Sequence, residues 1–392
     1  MIRPTFVLGV GMTPFRSPRN SPDYLELGTA AARDALADAG IPYESVGQVY
    51  AGYVYGDSCS GHRVVYEVGL TGVPVFNVNS NCSSGSTALY LARQAVAMGS
   101  VDVALAIGFE QMPAGALVEY WPDRPSPLAR FVEVADRRVS DPRGPLAPKL
   151  FSAAGAEYCE RYHVSPELFA AITVKSRRHA EHNPRAIFRD PTTAEQVLAT
   201  PLICDPLTRT QCCPPTCGGA AAIVVSEAIA RQYGQGRAVR IAGQALATDL
   251  PASFAGSAID AVGYDLGRRA AAQAYAEAEV APRDIDLAEL HDCFTVNEVL
   301  AYEALGLCAE GEAPDFIASE SNSYGGRCVT NPSGGLLSKG HPLGATGLAQ
   351  CFELVTQLRG EARRRQVPGA NIAAAHNIGI GSTCVVTVFR RP

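Results

Sequence analysis

Apolar residues recur along this chain in two alternating rhythms. Residues 5–10 read as an opening strand that ends at Gly9-Val10-Gly11. Tyr24, Leu25, Leu27, Ala31, Ala32, Ala35 and Leu36 then keep a 3.6-residue period over 24–39, and Gly40 stops the helix they predict. Strands are predicted at 48–54, at 75–79 as a short buried one, and at 101–108. A helix carrying Leu89, Leu91, Ala92, Ala95 and Val96 lies between the last two. This alternation predicts an α/β chain whose mostly parallel sheet has helices on both faces.

The rhythm breaks near residue 120. Trp121–Pro127 and Asp141–Pro145 are turn-rich, and helices are predicted near 152–162 and 166–182. The segment reads as an insertion whose Arg177, Arg178, His179, His182, Arg185 and Arg189 form a solvated surface or a lid over an anionic substrate. Asp205–Val225 returns to the core, with a strand at 220–225. The pattern then replays: a strand at 238–245, an Ala-rich helix at 266–278, a strand at 286–290, a helix at 344–358, and strands at 372–375 and 384–389. Val280–Leu287 echoes Ile41–Gln48. The expected organisation is residues 1–119 with 205–235 as one half, 120–204 inserted, and 236–392 as the other half.

Two stretches align across the halves. With Cys82 laid on His341, both show Gly three residues on (Gly85, Gly344), Thr five on (Thr87, Thr346) and Leu seven on (Leu89, Leu348). Each follows a small-residue turn and opens an apolar helix. If the halves pack about a pseudo-twofold axis, the two helix entrances face each other.

Composition narrows the function. With 47% hydrophobic residues and a net charge of -6, the chain suits a soluble globular protein and offers no basic surface for nucleic acid. No apolar run has the length of a membrane span. The N-terminus reads as a first strand rather than a signal peptide, and the last residues carry no address or lipid-attachment motif. Twelve cysteines without a secretory signal suggest free thiols in a reducing cytoplasm.

Among them Cys82 is the best nucleophile candidate, since a helix N-terminus stabilises a thiolate. His341 suits a neutral base, its pKa lowered by its own helix. His291 and Cys293, two apart beyond a strand, would project to one side and reach one cleft. Gly379-Ile380-Gly381 lets backbone approach a ligand, and its N–H groups could join that of Cys82 in an oxyanion hole. Cys212, Cys213 and Cys217 lack a fourth ligand for zinc, so packed thiols in a tight turn are expected, with no metal.

Together these residues resemble the thiolase family. Asn81-Cys82-Ser83-Ser84-Gly85-Ser86 is similar to its acylation segment, and Gly340-His341-Pro342-Leu343-Gly344-Ala345-Thr346-Gly347 to its histidine motif. His291-Asp292-Cys293-Phe294 stands where other thiolases carry Asn-Glu-Ala-Phe, as in the sterol carrier protein x type. The likeness runs through most of 291–389, including Tyr324-Gly325-Gly326 and Asn331–Leu336.

The resemblance implies a thiolase fold: duplicated βαβαβαββ halves in a five-layered αβαβα arrangement with an inserted loop domain. It implies acyl transfer through Cys82, activated by His341, with Cys293 as acid/base. His291 and His341 would form one oxyanion hole and the N–H groups of Cys82 and Gly379 the other. It implies acyl-CoA and coenzyme A as substrates, no bound cofactor, and a homodimer or dimer of dimers. The activity would be that of a 3-ketoacyl-CoA thiolase in β-oxidation or the metabolism of fatty-acid, branched-chain or sterol side chains. Two departures stand out. The family's C-terminal Cys-x-Gly reads Asn377-Ile378-Gly379 here. With the chain ending at Pro392, the lipid-carrier domain of the animal fusion protein is expected to be absent. Two other readings compete: a thiolase-like retro-aldolase with a small accessory protein, and a non-catalytic lipid carrier on the same scaffold.

Overall fold

A computed structural model of the chain describes residues 3–113, 121–139, 145–234, 236–381 and 383–392. Most of the second predicted turn cluster, 141–144, lies outside them. The first half runs β1 (Thr5–Met12), α1 (Tyr24–Ala39), β2 (Gln48–Gly52), α2 (Ser60–Val68), β3 (Val75–Val78), α3 (Ser84–Ala97) and β4 (Val103–Glu110). Next come α4 (Ala129–Asp136), α5 (Leu146–Tyr162), α6 (Leu168–Ala180), α7 (Ala194–Leu198) and a small hairpin of β5 (Leu202–Cys204) and β6 (Leu207–Thr208). β7 (Gly218–Ser226) and α8 (Glu227–Tyr233) complete that half. The second half runs β8 (Val239–Ala247), α9 (Ala258–Ala261), α10 (Tyr264–Ala278), β9 (Leu287–Glu289), α11 (Thr295–Ala304), α12 (Ala313–Ala318) and β10 (Val329–Thr330). It ends with α13 (Gly335–Ser338), α14 (Thr346–Leu358), β11 (Ile372–Gly379) and β12 (Thr383–Arg390).

Local signals explain the boundaries. Asp23 caps α1 by accepting from Glu26 N, and Gly40 ends it in the left-handed region. The echoed segments both fold as one 3-10 turn, Tyr43–Ser45 before β2 and Pro282–Asp284 before β9.

The duplication is explicit in the sheet. One half orders its strands β3-β2-β4-β7-β1, the other β10-β9-β11-β12-β8. In each, the first three are parallel and the last two antiparallel to their neighbours. The halves join edge to edge through β1 and β8, where Thr5, Phe6 and Val7 pair with Ile241, Arg240 and Val239.

Three apolar layers pack against the half-sheets, one between them and one on each outer face. α1, α2 and α8 cover the outer face of the first, with Ala35, Leu36 and Val64 against Ile107 and Ile223. α3 and α14 fill the middle, where Leu89, Val96, Leu348 and Leu354 meet Ala106 and Ala222 from one half and Leu287 and Ala373 from the other. α10, α11 and the insertion helices cover the far face. Each such Leu, once buried, contributes about 1.5–3 kcal/mol relative to exposure. This is the expected αβαβα arrangement, and it puts the entrances of α3 and α14 together at its centre.

Two expectations change. The strand at 75–79 is not buried: β3 ends the sheet, nothing among the described residues pairs with its outer edge, and Phe76 and Asn77 are exposed. The insertion is a solvated surface only in part: Arg178 and Arg189 are exposed, but His179 is buried. α5 and α6 bury Leu150, Phe151, Tyr158 and Phe169, and their charges are matched inside. Lys175 pairs with Glu298, and His179 bonds the carbonyls of Thr330 and Asn331. Among the described residues no helix is long and apolar enough to cross a membrane. All twelve cysteines are free thiols.

Candidate active site

Cys82 stands on a turn between β3 and α3 that its serines hold in shape. Ser83 Oγ donates to Ser80 O at 2.7 Å, and Ser84 Oγ donates to Asn81 O at 2.7 Å while accepting from Ser80 N at 2.9 Å. Asn81 sits in the left-handed region at φ 53, which Asn tolerates better than most residues, and its Nδ2 donates to Ile380 O at 2.8 Å. The turn is thereby tied to the β11–β12 hairpin. Gly379 lies against it so closely that a Cβ there would stand 2.1 Å from Ser80 O.

His341 arrives from α13 through Gly340. Its N–H donates to Thr216 Oγ1 at 2.5 Å. Its Nδ1 lies 2.7 Å from Thr346 Oγ1, which is itself 2.9 Å from Pro342 O. A hydroxyl has one proton. Given to Pro342 O, it leaves Thr346 Oγ1 to accept from His341 Nδ1–H. Nε2 is then the bare nitrogen, and it has no partner among the described residues. The alignment with Cys82 holds in space: a Cβ on Gly85 would stand 2.5 Å from Gly344 O, so glycine lets the two segments touch. The entrances are not identical, however. α3 begins two residues after Cys82, whereas α14 begins five after His341, which instead forms a bridge with Pro215.

His291 and Cys293 follow β9 and both face the same cavity as Cys82 and His341. Asn297 Nδ2 holds the His291 carbonyl, and the Asp292 carboxylate accepts from Leu336 N at 2.7 Å and Leu337 N at 3.3 Å. That locks the His-Asp-Cys-Phe segment to the helix leading into His341. The cysteine-rich turn at 212–217, expected only to pack, is a strap across the site. Cys212 bridges Phe294, Cys213 N donates to Cys293 O at 2.9 Å, and Thr216 holds His341.

Cys82 Sγ and one ring nitrogen each of His291 and His341 lie within 4.8 Å of one another. They could share a metal ion; the cysteines of 212–217 form no such group among the described residues. Burial dominates the electrostatics. It pushes the Cys82 thiol up to about 12, against the pull of the Ile380 N–H. It also drives Cys293 well up, with Cys213, Cys82 and Asp292 adding to the shift. Burial, then Lys339, lowers His341 to about 3; burial, then His341 and His376, holds His291 well below its usual value. The expectation of an acidified thiol is therefore corrected: burial, with Glu110 adding to it, raises the thiol against the backbone N–H groups that pull it down. The resting site holds neutral thiols and neutral imidazoles, and burial is the main cause of the low His341 pKa.

Glu110 was not singled out from sequence. It ends β4 beside Cys82 and accepts from Val54 N at 3.1 Å, Tyr55 N at 2.8 Å and Gly344 N at 2.9 Å, with burial raising its pKa to about 7. Asn377, Ser86 and Thr346 were also missed as site residues. Cys384 is buried in β12 opposite Ala247 and does not line the cavity.

The cavity holds about 1140 Å³ and is mostly apolar, with Phe151, Phe294, Leu128, Ile203 and Ile380 among its walls. Of the six Arg and His residues read as a solvated surface or a lid, Arg177 alone lines it. Its guanidinium lies 4.2 Å from the Phe188 ring centroid, its Nε has no hydrogen-bond partner among the described residues, and Asp190 is the carboxylate whose charge reaches it. Arg178 pairs with Glu320, His179 is buried, and Arg185 packs over Phe352.

Residues 5–200 match the family model described as Thiolase, N-terminal domain, and residues 255–391 the one described as Thiolase C-terminal domain-like. Sterol carrier protein 2 of Homo sapiens is 49% identical over 394 residues, covering 99% of this chain and 72% of the relative. An acetyl-CoA acetyltransferase of Methanothermobacter thermautotrophicus is 34% identical over 407 residues, covering 100% of both. Among solved structures, the Ltp2-ChsH2(DUF35) aldolase is similar with a TM-score of 0.84 and 25% identity, over 100% of this chain and 98% of that one.

Proposed function

The chain belongs to the thiolase family and is an acyltransferase of that family, and we propose that it cleaves 3-ketoacyl-CoA with coenzyme A, or runs the reverse Claisen condensation. The observation that carries this reading is the convergence of Cys82, His291 and His341 within 4.8 Å, with Cys293 on the same cavity. His341 Nε2 takes the Cys82 proton as Sγ attacks the C3 carbonyl. The C2–C3 bond breaks, its electron pair stays on C2 of the departing acetyl- or propionyl-CoA, and Cys293 supplies the proton there. The Cys293 thiolate then takes the proton of an incoming coenzyme A thiol, whose sulfur attacks the acyl-cysteine. Cys82 leaves and recovers its proton from His341. His291 and protonated His341 serve the thioester oxygen, and the N–H groups of Cys82 and Gly379 the C3 oxygen. No metal or resident cofactor enters these steps.

Arg177 is the candidate for a coenzyme A phosphate, as a cation at the cavity wall whose Nε has no hydrogen-bond partner among the described residues. The apolar volume suits a fatty, branched or sterol-derived acyl group, and a panel of 3-ketoacyl-CoA substrates with product identification assigns it. Twelve free thiols favour a reducing compartment such as the cytoplasm. A homodimer is proposed from the open edge of β3, where Tyr66, Leu70 and Phe76 are 50%, 80% and 45% exposed. Light scattering that gives a fully active monomer at micromolar concentration rejects it. The decisive test of the reaction is intact-mass detection of an acyl group on Cys82 after mixing with substrate, absent in Cys82→Ala.

A second reading, retro-aldol cleavage with a small accessory protein, is favoured by the likeness to the aldolase structure. It needs no acyl-cysteine. Turnover of a β-hydroxyacyl-CoA by Cys82→Ala would select it.

A further inference from the structure

Asn377 occupies the place where the family pattern has its second cysteine, and its amide has no proton to exchange near neutral pH. The structure gives it another task. Asn377 is fully buried between the nucleophile helix and His291. Ser86 Oγ lies 2.8 Å from its Oδ1, and its Nδ2 lies 2.8 Å from His291 Nδ1. Ser86 Oγ has no other hydrogen-bond partner among the described residues, so its one proton goes to Oδ1. That turns the amide NH₂ toward the imidazole. An amide nitrogen only donates, so His291 Nδ1 must accept, and a neutral ring then carries its single proton on Nε2. The arrangement leaves no slack. Asn297 holds the His291 carbonyl, and a Cβ on Gly347 would stand 1.9 Å from Ser86 Oγ and 2.8 Å from Asn377 Oδ1. Glycine in the histidine motif makes room for this relay.

His341 is held the other way round, with its proton on Nδ1 facing Thr346. We propose that Asn377 is a positioning residue that fixes His291 as the Nε2–H tautomer, opposite to His341, so that one imidazole is a standing donor and the other a standing base. Two neutral histidines 5.0 Å apart between ring centroids would otherwise be free to exchange roles. The division of labour suits the proposed reaction, on which this inference rests. His341 takes the Cys82 proton, and His291 offers an N–H to the thioester oxygen as negative charge develops there.

The test separates the inference from the reaction. Nitrogen-15 NMR of histidine-labelled protein, without substrate, reads each tautomer directly, with His291→Gln and His341→Gln used only for assignment. The expected spectrum shows His291 with bare Nδ1 and His341 with bare Nε2. A His291 that carries its proton on Nδ1 overturns the proposal, whether or not the enzyme cleaves 3-ketoacyl-CoA.

Asn377→Asp supplies the kinetic arm. Its carboxylate has only acceptors and draws the His291 proton to Nδ1, so kcat should fall about 100- to 1000-fold at neutral pH, the usual loss for one oxyanion donor. As pH falls and His291 becomes doubly protonated, Nε2–H returns and kcat should recover. The other titratable groups around His291, namely His341, His376 and Cys82, are the same in both proteins, and the variant adds only the carboxylate at 377 that holds the proton on Nδ1. A merely structural loss would lower kcat without this recovery, and that result overturns the proposal as well. If the variant does not fold, the wild-type spectrum still decides.

Discussion

Replacing Thr346 with Val keeps the shape of the side chain and removes the hydroxyl that sits 2.7 Å from His341 Nδ1 and 2.9 Å from Pro342 O. His341 is buried, so its Nδ1–H finds no water in exchange. Leaving such a donor unpaired costs about 1–3 kcal/mol. The ring can escape that cost by moving its proton to Nε2, the nitrogen that has to be bare to act as base. The population able to accept the Cys82 proton then falls by the same free energy, about 5- to 150-fold at about 1.4 kcal/mol per factor of ten. Stability should change far less visibly. With about 2.1 cal/mol/K of unfolding entropy per residue, a 392-residue chain has about 0.8 kcal/mol/K, so 1–3 kcal/mol moves Tm by about 1–4 °C. The assay is the single-turnover rate of Cys82 acylation, followed by intact mass, beside a thermal scan. Thr346→Ser keeps the hydroxyl and should acylate near the wild-type rate. A folded Val variant that acylates as fast as wild type, or a Ser variant that falls as far as Val, refutes the tautomer argument.

Cys293→Ala should lose steady-state thiolysis by about 100-fold or more while Cys82 still accepts an acyl group; Cys384→Ala, in the packed β12, should stay active and lose about 1 kcal/mol of stability. A dead Cys384→Ala with a normal Cys293→Ala reverses that assignment. Arg177→Ala should raise KM for coenzyme A with kcat nearly kept, and an unchanged KM removes Arg177 from the phosphate site. Glu110 gives a pH signature: its folded pKa is raised to about 7, so the folded state keeps a proton that the unfolded chain releases near 4.5. Its contribution is fully present below the unfolded value and is lost as pH rises to about 7. Gln offers one acceptor oxygen where Glu110 offers two, so Glu110→Gln loses a backbone bond at every pH. Its Tm relative to wild type should nevertheless rise progressively between pH 5 and pH 7.5, and a Tm difference independent of pH contradicts the shift.

Much of this fold was legible in the chain because the signals were local. The period of 24–39 and its Gly40 stop are properties of one helix and its cap, and both stand in α1. The echo of 41–48 in 280–287 recurs as two equivalent 3-10 turns. Matching residues after Cys82 and His341 mark close packing at the centre of a duplicated sheet, and the spacing of His291 and Cys293 places both on one cavity. Chemistry that depends on residue type at short range was visible in the same way.

What depended on distant segments was not. No pattern in residues 5–7 or 239–241 says that β1 and β8 pair, because an edge finds its partner only when both halves exist. Cys212–Cys217 looked like a packed turn and is the strap that carries Thr216 to His341. Helix entrances suggested an acidic thiol, but burial by the surrounding layers sets the pKa of Cys82 instead. Asn377 looked chemically inert, and in isolation it is. Its place between Ser86 and His291, residues 291 and 86 positions away along the chain, makes it a donor with one acceptor in reach. Sequence determined which groups could do chemistry; only the packing of the two halves decided where their protons sit, because a proton's position follows from the partner each nitrogen meets and from the water it has lost.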